Sequence, residues 1–354
     1  MSASTTRPLR HSVRDVARLA GVSVATVSNV MNRPDVVTAA TQQRVQAAMD
    51  QLGFVRNLAA AQLRGSQSPS VGVVVLDVGN PFFTDVARGI EDRVAEDGGM
   101  VSICSTDEIG EKEARHLRML QEQGARGILV IPSGAKLRHL EAIARRGTPV
   151  VLLDRASRSV DLCAAAVDDV RGGELAAAHL LGHGHRRIAF LNGPSSIRQC
   201  VDRRRGAARA VRAAGLDPDD VLVDIEASSP KADGADPAIE LLLEWPRPPT
   251  AIMCVNDLLA IGALRALLHR GLRVPADVAI VGYDDIEFVS LISVPLTTVR
   301  QPKYQLGYTA ADLLLSETQP DHRHRQVLLQ PELVVRASTG IARPHPANDD
   351  LVSM

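Results

Sequence analysis

No stretch of the 354-residue sequence approaches the roughly 18 apolar residues that a membrane-spanning helix needs. Residues 1–12 carry no apolar segment of the kind found in secretory leaders. The chain therefore reads as neither exported nor membrane-embedded, with the cytoplasm as its expected compartment. Cysteine is scarce: Cys104, Cys163, Cys200 and Cys254 lie far apart and form no Cys-x-x-Cys pair. That spacing argues against a zinc site and a disulfide scaffold, and it suits a reducing compartment. Cys104 and Cys254 sit inside apolar runs, where a buried thiol is the natural reading. Also absent are the nucleophile elbow Gly-x-Ser-x-Gly, the metalloprotease helix His-Glu-x-x-His and the phosphate-cradling Gly-x-x-x-x-Gly-Lys. With no acid–base pair or cofactor loop in their place, neither a catalytic residue nor a cofactor is expected.

What is present is an ordinary globular composition, 45% hydrophobic and 23% charged, which excludes wholesale disorder. The length suggests two or three domains. A net charge of −1 conceals an asymmetry, because residues 1–65 hold eight arginines against Asp15, Asp35 and Asp50. That is +5 for the head and −6 for the remainder. A basic head on an acidic body points to a polyanion met by the head alone.

The head is helical. Ser12-x-x-Asp15 reads as a capping box opening a helix through Ala20, and Gly21 stops it in the left-handed region. Ser23 caps a second helix, Val24 to Met31, with Val27 and Val30 inward. Pro34 and Asp35 break the chain, and Thr38 caps a third helix with Val45, Met49 and Leu52 on one face. Three short helices with a glycine turn between the first two make a helix-turn-helix pattern. The piece from Asn57 to Arg64 has good helix formers but is shorter than the roughly 12–15 residues an isolated helix needs, so it is expected to fold only against a partner.

From Val71 the texture alternates. Apolar runs at Val71–Leu76, Val101–Cys104, Gly127–Ile131, Val150–Asp154, Ile188–Asn192, Leu222–Ile225, Ala251–Val255 and Ala279–Gly282 are separated by amphipathic stretches. Continuous apolar strands with helical crossovers imply parallel sheets covered on both faces. Eight strands are too many for one small sheet, so the pattern predicts two doubly wound lobes. Ligands in such folds sit beyond the carboxyl ends of the strands.

Val13 to Ser28, Asn57 to Leu63, Asn80-Pro-Phe-Phe83, Gly184-His-Arg-Arg-Ile188, Val255-Asn-Asp257, Val281-Gly-Tyr-Asp-Asp285, Pro295-Leu-Thr-Thr298 and Glu332-Leu-Val-Val-Arg336 occur in an ordered set. Together, from about residue 13 to 338, they resemble the lactose/galactose repressor family of bacterial transcription regulators. The resemblance implies an α/β fold: a helix-turn-helix head, a hinge helix, and two doubly wound parallel lobes of periplasmic sugar-binding type. The expected divisions are 12–56 for the head, 57–68 for the hinge and linker, 69–340 for the core and 341–354 for a polar tail. Within the core, 69–167 with 299–327 would form the first lobe, and 168–298 with 328–340 the second.

By the same resemblance the chain is a repressor that binds a palindromic double-stranded operator as a homodimer, under control of a small sugar-like effector. Its second helix would enter the major groove with Val24, Ala25, Thr26, Ser28 and Asn29 outward, and Arg14 and Asn32 join the DNA-contacting set. Asn29 stands where many relatives carry Arg, so operator bases do not transfer. In the hinge, Asn57 and Ala60 would accompany Leu63, the wedge that unstacks base pairs in the minor groove.

The expected effector set is Asn80, Phe82, Phe83, Asp154, Arg155, Arg203, Asn256 and Asp257. Carboxylates, amides and guanidinium groups fix hydroxyls, and an aromatic ring packs on the sugar face. Asp154 and Arg155 would come from the first lobe, Arg203 and Asp257 from the second, so that a ligand bridges the cleft. Asp168 either joins them or caps the helix that follows. His183 and His185, and likewise His322 and His324, read as loop histidines and not as metal ligands. After Val335 the tail has two prolines, a glycine and no apolar heptad, which excludes a tetramerising coiled coil there. A sugar receptor without a DNA role and a sugar-converting enzyme are the alternatives. The basic head counts against the first, and the missing catalytic pair against the second.

Overall fold

A computed structural model describes residues 11–55, 68–156, 159, 161–319 and 321–340. The chain forms two units that divide between Gln67 and Ser68.

In the first unit the Asp15 carboxylate accepts from the Ser12 N–H at 2.9 Å and from the Ser12 hydroxyl at 2.8 Å, which sets the start of α1 (Val13–Ala20). Gly21, at φ 64°, ends it. The Ser23 hydroxyl accepts the Thr26 N–H at 3.0 Å and opens α2 (Val24–Asn32). Thr38 precedes α3 (Ala39–Leu52) without a side-chain bond to the helix backbone; its hydroxyl donates to that of Thr41. Val16, Ala17, Ala20, Val27, Val45 and Ala48 form the small core, with Val30, Met49 and Leu52 packed around it.

The second unit contains two six-stranded sheets. The first holds β1 (Ser70–Val75), β2 (Met100–Ser105), β3 (Gly127–Val130), β4 (Val150–Leu153), β5 (Cys163–Val167) and β11 (Gln326–Leu329) in the order β11-β5-β4-β3-β1-β2, parallel throughout. The second holds β6 (Ile188–Asn192), β7 (Leu222–Glu226), β8 (Ala251–Cys254), β9 (Ala279–Asp284), β10 (Thr297–Arg300) and β12 (Glu332–Val334) in the order β12-β10-β9-β8-β6-β7. Among the described residues only its β10–β12 pair is antiparallel. Each order reverses once, between β1 and β3 and between β6 and β8, and a crevice opens at such a switch point beyond the strand ends.

Four strands escape the sequence pattern. The run Cys-Ala-Ala-Ala-Val of β5 has a single branched side chain, Val167, and pairing on both sides by β4 and β11 overrides its low propensity. The chain also crosses between lobes later than expected. Val299 and Arg300 belong to β10 in the second sheet, and Leu328 and Leu329 to β11 in the first.

The helices that cover the sheets are α4 (Pro81–Glu96), α5 (Gly110–Glu122), α6 (Arg138–Arg145), α7 (Asp169–Gly182), α8 (Arg198–Ala213), α9 (Pro218–Val221), α10 (Ala235–Leu243), α11 (Asp257–His269) and α12 (Lys303–Ser316). No described helix is long and apolar enough to cross a membrane. Backbones touch at α7 and α8: a Cβ at Gly173 would stand 2.0 Å from the Arg203 carbonyl oxygen, and one at Gly206 1.9 Å from that of Val170. That close approach sets Arg203, on α8, beside Asp169, the first residue of α7.

Candidate functional site

A cleft with an empty volume of about 610 Å³, part of it open to solvent, lies between the carboxyl ends of the two sheets. Asn80 caps α4 by accepting the Phe82 N–H at 3.0 Å, which places Phe82 and Phe83 in the first turn. Both rings line the cleft, edge to face with centroids 5.0 Å apart. From the second lobe, Asn256 caps α11 by accepting the Leu259 N–H at 2.8 Å, and its amide donates to the Pro230 carbonyl at 2.9 Å.

The floor of the cleft is a buried charge cluster. Arg203 Nε donates to Asp169 Oδ1 at 2.7 Å and Nη1 to the Val255 carbonyl at 2.6 Å, while Nη1 lies 3.9 Å from Asp284 Oδ1. Its guanidinium stacks 3.6 Å from the Tyr283 ring centroid, and the Tyr283 hydroxyl donates to Asp169 at 3.1 Å. Burial works to lower the Arg203 pKa, but Asp169 and the neighbouring acids outweigh it and raise it, so the cation persists.

Asp284 accepts from the Gln301 amide at 2.7 Å, and burial pushes its pKa up to about 6. Asp154 has a left-handed backbone (φ 52°), a conformation that aspartate tolerates better than most residues. The Gln199 amide, from the other lobe, donates to its carbonyl at 2.8 Å and to its Oδ2 at 3.0 Å. Its Oδ1 is buried without a hydrogen-bond partner. Burial, then the charge of Asp169, push its pKa up to about 8. Three carboxylates thus share one cation, and the cluster retains a proton at neutral pH. At the mouth, Lys231 of the second lobe pairs with Asp77 of the first at 3.1 Å.

Six of the eight expected ligand residues line this cleft: Asn80, Phe82, Phe83, Asp154, Arg203 and Asn256. Arg155 does not. It turns into its own lobe and donates to the carbonyls of Gly134 and Ala135 at 2.6 and 3.0 Å. Asp257 is a correction of a different kind, being fully buried with both oxygens taken. Oδ1 accepts the Thr298 hydroxyl at 2.7 Å and Oδ2 the Ile286 N–H at 2.9 Å. The cap residue Asn256 faces the cleft, and one residue later the helix has rotated about 100° into the sheet. Asp257 therefore anchors α11 to β10 and to the segment after β9. Asp168 accepts the Arg171 N–H at 2.9 Å and takes the capping role.

Sequence reasoning missed Asp77, Glu108, Gln199, Lys231 and Asp284, all of which line the cleft. Asp284 closes β9, so the strand-end rule applied to Val281–Asp285 would have found it. Nothing local marks Gln199.

On the head, Arg14, Val24, Ala25, Asn29 and Asn32 are exposed, and Thr26 and Ser28 are half-buried. The Thr26 hydroxyl lies 2.8 Å from that of Ser23, and the Asn32 amide donates to the Ser28 carbonyl at 2.8 Å and to its hydroxyl at 3.2 Å. Val24, Ala25, Asn29 and Asn32 are thus the outward surface of α2, with Asn32 bonded back to Ser28 and Thr26 to the cap residue Ser23. Asn57, Ala60 and Leu63 lie outside the described residues. His183 Nδ1 lies 2.9 Å from the His179 carbonyl oxygen, and His185 sits between the Thr250 hydroxyl and the Gly340 carbonyl at 2.9 and 3.0 Å, as structural side chains do. His322 differs: its Nε2 lies 3.3 Å from Cys163 Sγ.

Residues 12–57 match the family described as bacterial regulatory proteins, lacI family, and residues 177–339 match the periplasmic binding protein-like domain. The chain is 35% identical over 329 residues to the HTH-type transcriptional repressor PurR of Vibrio atlanticus (strain LGP32), covering 92% of this chain and 98% of that one. It is 34% identical over 335 residues to the HTH-type transcriptional regulator DegA of Bacillus subtilis (strain 168), covering 94% and 98%. Among solved structures, the Lac repressor dimer bound to operator and the anti-inducer ONPF aligns at a TM-score of 0.83 with 30% identity, over 94% of this chain and 100% of that one. A LacI family regulator from Enterococcus faecium with bound ribose aligns at 0.71 with 30% identity, over 77% and 100%.

Proposed function

The chain belongs to the LacI family of bacterial regulatory proteins and is a DNA-binding transcriptional repressor, not an enzyme; from that premise we propose that it binds a palindromic operator as a homodimer, and that a sugar of pentose size in the cleft controls the binding. The operator places its work in the cytoplasm.

The observation that carries the ligand class is the Asp154–Arg203–Asp284 cluster. Each sugar hydroxyl both donates and accepts one or more hydrogen bonds. The cleft offers an unpartnered carboxyl oxygen from one lobe, and a carboxylate beside a guanidinium from the other. Phe82 supplies the apolar surface that a ring face needs. The ribose in the related regulator from Enterococcus faecium supports the same class.

Control follows from the contacts that already span the cleft, Gln199 to Asp154 and Lys231 to Asp77. A ligand that replaces or tightens them favours one lobe angle over another, and the first lobe adjoins the hinge sequence. Large apolar side chains exposed on both lobes, among them Met100, Ile103, Phe288 and Leu291, suit pairing side by side. The relative bound to operator is itself a dimer.

A thermal-shift screen of the full chain against pentoses and hexoses tests the ligand class. At a hundred times its dissociation constant a ligand adds about 2.7 kcal/mol, so a matching pentose should raise the melting temperature by about 5–10 °C. No shift with any pentose, beside a clear shift with a flat nucleobase, would reassign the cleft.

A further inference from the structure

Away from the cleft, the first lobe brings three different metal-ligating groups to one point. Cys163 opens β5, Glu317 follows the last residue of α12, and His322 lies in the loop that leads to β11. One donor atom from each lies within 4.8 Å of the other two. Cys163 Sγ is 3.3 Å from His322 Nε2, which is 3.3 Å from Glu317 Oε1. A tetrahedral zinc ion, bonded at about 2.3 Å to sulfur and about 2.0–2.2 Å to nitrogen and oxygen, has donor–donor edges of about 3.3–3.6 Å. Both edges that meet at His322 Nε2 already have that length. Glu317 Oε1 is also sealed from solvent, and the groups it faces there are His322 Nε2 and the Cys163 thiol, themselves metal-ligating groups.

The surroundings match those of a metal site. The Arg325 N–H donates to Cys163 Sγ at 3.3 Å. The second ring nitrogen of His322 lies 3.3 Å from the Ser316 hydroxyl. The other oxygen of Glu317 is 3.4 Å from His324 Nε2, and His324 Nδ1 is 2.8 Å from the Asp161 carboxylate. Partners of this kind orient the groups that touch a metal. Along the chain the cluster is invisible, because 159 positions separate Cys163 from His322. Parallel pairing of β5 with β11 closes that distance.

We propose that Cys163, Glu317 and His322 bind one Zn²⁺ ion, with water or His324 in the fourth position. A thiolate, an imidazole and a carboxylate select zinc over the hard cations that prefer oxygen alone. On binding, the sulfur–zinc bond forms as the S–H bond breaks, and the proton leaves to solvent. The ion joins the chain's first passage through the lobe, β5, to its return through α12 and β11, and so staples a lobe assembled from distant segments.

The test uses the full chain, stripped with a chelator, then titrated with Zn²⁺ against a chromophoric competitor and separately with Co²⁺. One zinc per chain is expected, together with a thiolate-to-cobalt charge-transfer band. Cys163→Ser should abolish the band and weaken zinc binding more than about 100-fold, and His322→Gln should weaken it similarly while keeping the band. Asp161→Asn should cost about 10–100-fold, and Cys104→Ser nothing. If Cys163→Ser does not fold, the loss of affinity in His322→Gln decides between the outcomes. A chain without micromolar zinc affinity, a band that survives Cys163→Ser, or zinc affinity unchanged in His322→Gln would overturn the site.

Discussion

Replacing Arg203 with methionine should destabilise the core by about 3–5 kcal/mol, the range for removing one partner of a buried ion pair. The stem of the side chain is conserved in the variant, so the loss is chiefly that of the cation. Asp169 would lose its 2.7 Å bond, the Val255 carbonyl its donor, and Tyr283 the group stacked on its ring. Asp154, Asp169 and Asp284 would then be buried together with no positive charge in contact. They can respond only by binding protons, so the deficit should be smaller at pH 5 than at pH 8. Urea unfolding at both pH values measures this. A variant within 1 kcal/mol of the wild type at pH 8 would show that the cation does not hold the cluster together.

The second large effect concerns pH itself. Asp154 titrates at about 8 in the folded chain against an ordinary value of 3.8, because burial and the charge of Asp169 disfavour its ionised form. Between those values the unfolded chain has released a proton that the folded chain keeps. Its contribution to stability is therefore complete below about pH 4 and is lost as pH rises to about 8, at up to about 1.4 kcal/mol per pH unit. Asp284, raised to about 6, adds to the fall over the lower part of that range. His179 acts in the opposite sense: burial depresses it to about 4, so its contribution is lost as pH falls below 6.5. Across pH 6.5 to 8 the fall from Asp154 adds to those of Asp169, Asp257 and His324, whose values are also raised. Wild-type stability should decline across this window, and the decline should be clearly shallower in Asp154→Asn, whose amide oxygen still accepts from Gln199. A wild type already flat from pH 6.5 to 8 would contradict the retained proton.

The local parts of this fold could be read before the structure. Ser12, Gly21, Ser23 and Val27 act within a turn or two of their own positions, so spacing alone defines the head. The eight strands in long apolar runs announced themselves, whereas β10, β11 and β12 are too short and mixed to do so and β5 is a strand only because β4 and β11 flank it. The cleft was legible wherever a strand-end rule or a cap applied, as at Asn80, Asp154 and Asn256. It was misread at Asp257, where one residue of helical rotation turns a side chain from ligand to anchor. Gln199, Lys231 and the meeting of Cys163 with His322 depend on how distant segments pack, and no periodicity encodes that.

Ligand-gated repression stands or falls on one titration. The full chain would be titrated, at fixed salt, into a fluorescent palindromic duplex selected from random sequence, with and without the pentose found by thermal shift. Two chains per duplex are expected, with affinity changing about tenfold or more when the pentose is present. Leu63→Ala should weaken binding in both conditions by about 1–3 kcal/mol, since the shortened side chain no longer offsets unstacking. Equal operator affinity with and without a sugar that demonstrably occupies the cleft would contradict ligand control of the repressor.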